Sequence, residues 1–309
     1  MHIEKELAKA KPQKETLLTV GVFDGIHLGH QRLLTYLRDE ARKKNCLSGV
    51  VTFKSHPRAV LSLDNRLFWL SDMETRIDLL RDLGIDVIVV LPFTPELARL
   101  NAQRFVQMLK KYLKMCGLII GPDFALGRDR EGDADKLRLL GQEMGFSVQV
   151  IPPVIIDGQV VSSSAIRQAL TEGDMKKAEK LFGRFFSLSG LVVSGDGRGR
   201  TLGFPTANLE LGPEQALPSD GVYATIAHVG PELMPSVTSI GVRPTFGGGK
   251  RLVEAHIIDY EGELLGQRLT LDLVDKLRDE KRFDTVEELK SQMGRDVEQA
   301  RRILSERMK

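Results

Sequence analysis

Apolar residues along this chain follow two different rhythms. From Leu17 to about Ile151, short apolar runs alternate with stretches whose apolar residues recur every three or four positions. The runs Leu17 to Phe23, Gly49 to Phe53, Ile85 to Leu91, Gly117 to Gly121 and Ser147 to Ile151 read as buried strands. Segments near 30–44, 72–83, 95–114 and 133–145 have helical spacing, as in Ile77, Leu80 and Leu83 or Phe105, Leu109 and Leu113. This alternation predicts a mostly parallel sheet with helices on both faces and ligands beyond the carboxyl ends of its strands.

Two more helical stretches, near 164–171 and 174–183, precede a change of pattern. Ser187 to Ser194, Gly221 to Val229, Ser236 to Ile240, Leu252 to Asp259 and Leu269 to Val274 are strand-like and separated by Gly, Pro and Asp, with no helix between them. They predict an antiparallel barrel or sandwich. A last helix is expected from about Val286 to Met308, with Thr285 as N-cap and Glu288 in a capping box. The fold class is therefore α/β followed by an antiparallel β domain with a terminal helix, and the boundary is placed near Phe185.

Composition narrows the function. At 309 residues the chain is too long for one ordinary core, which agrees with two domains. A net charge of +2 excludes a polyelectrolyte-type nucleic-acid binder. Met1 to Glu15 lacks the apolar core of a signal peptide, and the longest apolar run, Val87 to Phe93, is far short of a membrane span. The expectation is a cytoplasmic protein with no membrane or nucleic-acid partner; the oligomeric state is left open. Cys46 and Cys116 are the only cysteines and form no CxxC, so on spacing a disulfide framework and a thiolate zinc site are both excluded, and a reducing cytosol is the expected compartment.

The most informative stretch is Gly21-Val-Phe-Asp-Gly-Ile-His-Leu-Gly-His30. A strand runs into Asp24-Gly25, and a helix follows from about His30. Glycines at 21, 25 and 29 let backbone approach a flat or anionic ligand. The helix N-terminus favours phosphate, and His27 and His30, three apart, face one way there. A zinc reading lacks a third local ligand, and GxxxxGK[ST] is absent. In the later domain, Gly195, Gly197 and Gly199 make a loop of close approach, with Arg198 and Arg200 for charge and Thr206 and Asn208 as hard oxygens. That inventory suits a polyphosphate with Mg²⁺, although a solvated hairpin uses the same residues. Glu254 shares a strand face with Leu252 and His256; alternation alone does not separate a catalytic base from a surface charge.

These segments carry a resemblance. The first matches the HxGH signature of the nucleotidyltransferase superfamily. Together with Thr52-Phe-Lys-Ser-His-Pro-Arg58, Gly121-Pro-Asp-Phe-Ala-Leu-Gly127 and Ser162-Ser-Ser-Ala-Ile-Arg167, it resembles the bacterial bifunctional riboflavin kinase/FAD synthetase family. Gly199-Arg-Thr-Leu-Gly-Phe-Pro-Thr-Ala-Asn208, Gly221-Val-Tyr-Ala224, Gly241-Val-Arg-Pro-Thr-Phe246 and Val253-Glu-Ala-His256 resemble its riboflavin kinase half, in the same order. The resemblance implies a Rossmann-like FMN adenylyltransferase domain over 1–185 and a β-barrel riboflavin kinase domain over 186–309, using ATP and Mg²⁺, with riboflavin, FMN and FAD as substrates and products.

It also implies residue roles. His27, His30 and Arg167 would act on the adenylyl-transfer phosphates, helped by Gly21, Phe23, Asp24, Gly25, Ser163 and Ser164. Phe53, His56, Arg58, Asp123, Phe124 and Arg278 would contact flavin. In the kinase half, Gly197, Gly199, Arg200 and Gly203 would bind ATP, Thr206 and Asn208 would ligate Mg²⁺, and Glu254 would be the general base. Without the resemblance, Ser162 to Ser164 read as a helix cap and His56 as a turn residue. The chain departs from the family pattern at Val22, Lys54, Ser55, Ala125, Leu126, Phe182, Phe185 and Phe186, and an aliphatic Leu126 removes an aromatic that would stack on the flavin ring. Two rival readings are a cytidylyl- or adenylyltransferase for another small phosphate and a flavin- or nucleotide-binding regulator that has lost catalysis.

Overall fold

The computed structural model describes residues 2–56, 68–195, 197–242 and 251–308, and the side chains of His2 and Arg198 are not described. Two compact units result, Met1–Ser162 and Ser163–Lys309.

The first unit has a five-stranded parallel sheet of order β3-β2-β1-β4-β5, with β1 Thr16–Val20, β2 Leu47–Phe53, β3 Val87–Leu91, β4 Met115–Ile120 and β5 Ser147–Val150, followed by a short antiparallel pair, β6 Ile155–Ile156 and β7 Gln159–Val160. Central β1 pairs in parallel with β2 and β4. The order reverses there, which makes the carboxyl ends of β1 and β4 the expected ligand crevice. Helices α2 Leu28–Lys43 and α3 Met73–Asp82 contribute Leu34, Leu37, Ala41 and Leu80 to one hydrophobic cluster. Helices α1 His2–Lys9, α5 Ala102–Leu113 and α6 Ala134–Met144 contribute Ile3, Leu7, Phe105, Leu109, Leu137 and Leu140 to another.

Three details depart from the sequence reading. Helix α1 was not expected, yet Ile3 and Leu7, four apart, are fully buried. Burial of two such side chains contributes about 1.5–3 kcal/mol each, enough to hold a two-turn helix that would not persist alone. The segment 95–114 is not one helix but two, α4 Pro95–Ala98 and α5, because Asn101 caps α5 by accepting the Arg104 N–H at 2.8 Å. Strand β1 ends at Val20, not Phe23, since Phe23 adopts φ 51°.

The second unit opens with α7 Ser163–Glu172 and α8 Met175–Phe182, which pack on each other, with α8 against the barrel strands that follow. The change of pattern near Phe185 coincides with the start of β8 Phe186–Val193, while compactness groups α7 and α8 with the barrel. The closed barrel has the order β10-β11-β12-β9-β8-β13, with β9 Ala207–Glu210, β10 Gly221–Val229, β11 Glu232–Val242, β12 Arg251–Ile257 and β13 Arg268–Arg278. All its pairings are antiparallel. Strand β9 and the short helix α9 Arg198–Leu202 were not foreseen among these strands. Helix α10 Val286–Arg307 packs Ala300 and Leu304 against Ala224, Ile226 and Val274. Thr285 caps it as expected, its Oγ1 accepting the Glu288 N–H at 3.2 Å, but the Glu288 carboxylate reaches back one residue further than a capping box requires and accepts the Asp284 N–H at 3.3 Å. Among the described residues, no helix is long and apolar enough to cross a membrane.

Candidate active sites

The first site begins where β1 ends. Gly21 still donates to Val51 O at 3.0 Å, after which Phe23, Gly25 and Ile26 all take positive φ. Phe23 and Ile26 are not glycines, so each left-handed conformation costs on the order of 1–3 kcal/mol. Burial of both side chains, at 4% and 1% exposure, holds them there. The turn delivers His27 to the N-cap of α2, where its Nδ1 accepts the His30 N–H at 3.3 Å. A neutral His27 therefore carries its proton on Nε2. The His30 ring stacks on His27 with centroids 3.8 Å apart. Gly29 permits this, because a Cβ there would stand 3.1 Å from the His27 ring.

Electrostatics fix the charge state. Burial, then the neighbouring His27, then Arg76 hold His30 well below the ordinary histidine pKa, so its ring is neutral at neutral pH. Its Nδ1 is buried with no hydrogen-bond partner among the described residues. Arg76 is only 1% exposed. It donates to Val22 O and Phe53 O, both at 3.1 Å, and lies 4.2 Å from the centre of the Trp69 ring. Arg76 ties the ends of β1 and β2 together beside the histidines, and the sequence reading missed it. A signal was available: Arg76 and Leu80, four apart, share the buried face of α3, an unusual place for a cation.

Asp24 is occupied differently from the expectation for a phosphate site. Its carboxylate accepts the N–H groups of Leu70 and Ser71 at 3.0–3.2 Å, and Ser71 Oγ accepts the Gly25 N–H at 3.1 Å. It locks the turn to the segment before α3. Phe53 is buried at the end of β2, edge-on to Phe93 at 5.4 Å, and His56 lies edge-on to Trp69 at 5.6 Å. Arg58 lies outside the described residues. After β4, Asp123 is exposed, its carbonyl accepts from Arg130 at 2.7 Å, and Phe124 packs on the core. Thus the segments after β1, β2 and β4 all leave the same end of the sheet. Ser163, Ser164 and Arg167 lie instead on the first two turns of α7, in the second unit.

The second site is built on the barrel. Strand pairing places Glu254 of β12 directly opposite Asn208 of β9 and Ser239 of β11. Val253, Ala255 and Ile257 face the core, whereas Leu252, Glu254 and His256 line a cavity of about 350 Å³. Glu254 therefore lines a cavity, which alternation alone did not show. Leu202, Phe204, Val237, Leu289 and Met293 make much of that wall apolar. A second cavity, of about 790 Å³, is lined by Gly195, Gly197, Arg200 and Asn208. Thr206 lines both.

The loop glycines are close-approach positions. A Cβ on Gly195 would overlap the Asn208 side chain, and one on Gly199 would overlap Phe204 O and stand 3.1 Å from Thr206 Oγ1. Gly197 and Gly203 have φ of 69° and 85° and bracket α9. His256 anchors the loop through a 2.9 Å hydrogen bond to Pro205 O. Arg278 lines the smaller cavity, held by a two-nitrogen ion pair to Asp296 of α10 at 2.9–3.1 Å. The role of α10 as a wall, through Leu289, Met293, Asp296 and Val297, was not expected. Of the motif Gly241 to Phe246, only Gly241 and Val242 are among the described residues.

The arrangement has known relatives. Residues 9–165 match the family model of FAD synthetase, and residues 182–304 match that of riboflavin kinase. A bifunctional riboflavin kinase/FMN adenylyltransferase of Escherichia coli K12 is 38% identical over 94% of this chain and 93% of its own. A protein of the same description from Pseudomonas fluorescens is 37% identical over 98% of each chain. A solved structure, described as a macrolide-efflux protein from Streptococcus pneumoniae, is 30% identical and covers 97% of each chain with a TM-score of 0.89. With both halves matched in order and near-complete coverage of these relatives, the chain belongs to the bifunctional riboflavin kinase/FMN adenylyltransferase family.

Proposed function

We propose that this chain makes FAD from riboflavin in two ATP-dependent steps, one at each site described above. The barrel transfers the γ-phosphoryl group of ATP to the 5′-hydroxyl of riboflavin, giving FMN and ADP. The α/β unit transfers AMP from a second ATP to FMN, giving FAD and pyrophosphate. The observation that carries this reading is the pairing of Glu254 with Asn208 on adjacent strands, between a largely apolar cavity and a larger one of mixed lining that includes Gly195, Gly197 and Arg200 beside Glu261 and Glu263, the two sharing Thr206. A flavin fits the first description and a nucleoside triphosphate the second.

In the barrel, Glu254 accepts the proton of the riboflavin hydroxyl as that oxygen attacks the γ-phosphorus. Gly197, Gly199 and Gly203 let the loop backbone approach the triphosphate, and Arg200 offsets its charge. The donor set Thr206 and Asn208 fits Mg²⁺, because both offer hard neutral oxygens and both lie against glycines, Gly199 and Gly195, where a Cβ would crowd or overlap them. Bound there, Mg²⁺ would supply neutralisation of phosphate charge. Arg278, oriented by Asp296, borders the flavin cavity.

In the α/β unit, positioning dominates. His27, through Nε2–H, and His30 donate to phosphate oxygens where charge develops. Gly21, Phe23 and Gly25 shape the turn around the nucleotide, and Asp24 holds that turn. Phe53, His56, Arg58, Asp123 and Phe124 are assigned to the flavin side. Ser163, Ser164 and Arg167 form a separate polyphosphate-binding element at the start of α7. The free thiols of Cys46 and Cys116 suit a reducing compartment, which we take to be the cytosol.

Incubating the purified protein with riboflavin and MgATP, then separating the flavins, tests this. FMN should appear first and FAD after it, with ADP and pyrophosphate as co-products. Absence of both flavin products from folded protein would refute the proposal.

A further inference from the structure

The spacing of the two cysteines gives no reason to join them, yet the fold brings them together. Cys46 stands immediately before β2 and Cys116 is the second residue of β4, and these two strands flank β1. The β1–β4 register slips between Thr16 and Leu17, at Cys116. The two Sγ atoms lie 3.6 Å apart across 70 residues of sequence. Glu15, immediately before β1, adds a carboxylate, and ligand atoms of the three residues all lie within 4.8 Å of one another. Glu15 is exposed and both cysteines are half-buried, so the cluster opens to solvent.

At 3.6 Å the two thiols are in hydrogen-bond contact, and Cys46 and Cys116 also lie 3.5 and 3.3 Å from Lys44 O and Thr16 O; the same separation suits two ligands of one metal ion. Two thiolates on a tetrahedral zinc ion, each at about 2.3 Å, stand about 3.8 Å apart. A disulfide needs about 2.0 Å, so joining these sulfurs covalently would require them to close by about 1.6 Å. We propose that Glu15, Cys46 and Cys116 bind one soft divalent cation of the zinc class, with water as fourth ligand. Binding would release the two thiol protons. Two sulfurs and one oxygen select against Mg²⁺, which takes oxygen ligands at octahedral geometry. The cluster sits at the amino ends of β1, β2 and β4, whereas His27 and His30 follow the carboxyl end of β1. The ion would therefore fasten the three central strands without taking part in adenylyl transfer.

Cadmium serves as the spectroscopic probe for the full-length, reduced protein. One equivalent of Cd²⁺ should give a saturating thiolate-to-metal charge-transfer band that a chelator abolishes. Cys46→Ser and Cys116→Ser should each weaken binding by at least about a hundredfold, beyond what loss of an outer-shell partner costs. Zn²⁺ should raise the Tm of the wild type and leave that of Cys46→Ser unchanged. FMN and FAD formation should stay within about twofold in Cys46→Ser, since Cys46 stands at the amino end of β2, away from the strand ends that carry His27 and His30, and lines neither barrel cavity. Protection of both wild-type thiols from alkylation by one equivalent of Zn²⁺ supplies a readout that needs no variant. Absence of a saturable band, a band of equal strength in both variants, or thiols that alkylate at the same rate with and without Zn²⁺ would overturn the proposal.

Discussion

The two sites handle anionic substrates with opposite inventories. At the end of β1 there are two stacked histidines, one held neutral, and a buried arginine, while the nearby carboxylate of Asp24 is engaged by the N–H groups of Leu70 and Ser71. On the barrel, a glutamate faces hard oxygens across a strand pair. The difference follows from the nucleophiles. The phosphate of FMN is already ionised and needs only alignment and charge neutralisation, whereas the hydroxyl of riboflavin must lose a proton as it attacks. On the proposed chemistry, one site needs a base and the other does not.

Breaking the barrel half should have the largest effect. Glu254→Gln should lower FMN formation by about 10²–10⁴-fold, the usual worth of a general base, and leave FAD formation from supplied FMN within about twofold. The two half-reactions, assayed separately, check this. A smaller and opposite effect is expected of His27→Ala, which removes a single donor: FAD formation should fall by about 10²–10³-fold while FMN formation persists. Gly195→Ala should push Asn208 aside by overlap with the new Cβ. A displacement of about 1 Å costs about a hundredfold at most in a positioned site, so riboflavin phosphorylation should drop by tenfold to a hundredfold and recover in part at raised Mg²⁺.

The smallest effect concerns pH and sharpens the contrast in charge. Because the folded state holds the pKa of His30 below its ordinary 6.5, folding favours the neutral ring. That contribution is fully present above pH 6.5 and is lost as pH falls below it. Between about pH 7.5 and about pH 5.5, wild-type protein should lose more stability than His30→Gln. Denaturation midpoints at the two pH values would show it; parallel losses would mean that His30 is not held neutral by the fold.

Much of this was legible in the sequence wherever the determinant is local. Glycines 21, 25 and 29 around His27 and His30 encode a strand-to-helix turn by themselves, and the Thr285 cap, with Glu288 three residues on, marks the start of α10. The two fold classes follow from the change in apolar rhythm near Phe185. What stayed hidden depends on register between distant segments. Whether Glu254 faces a cavity or solvent is decided by its pairing with Asn208, in a strand that four residues were too few to announce. Asp24 looked available until the segment before α3 supplied its partners. The wall formed by Leu289 and Met293 belongs to a helix whose apolar face alone does not say what it covers. Cys46 and Cys116 meet only because β1 lies between their strands.

The central claim is that a site with a base and a site without one act independently in a single chain. Complementation between two variants tests it most directly. Glu254→Gln protein and His27→Ala protein, each given riboflavin and MgATP, should fail to make FAD alone, and an equimolar mixture should make it through released FMN. If the mixture yields no FAD although both proteins are folded, or if either variant alone converts riboflavin to FAD at the wild-type rate, the division of labour described here is wrong.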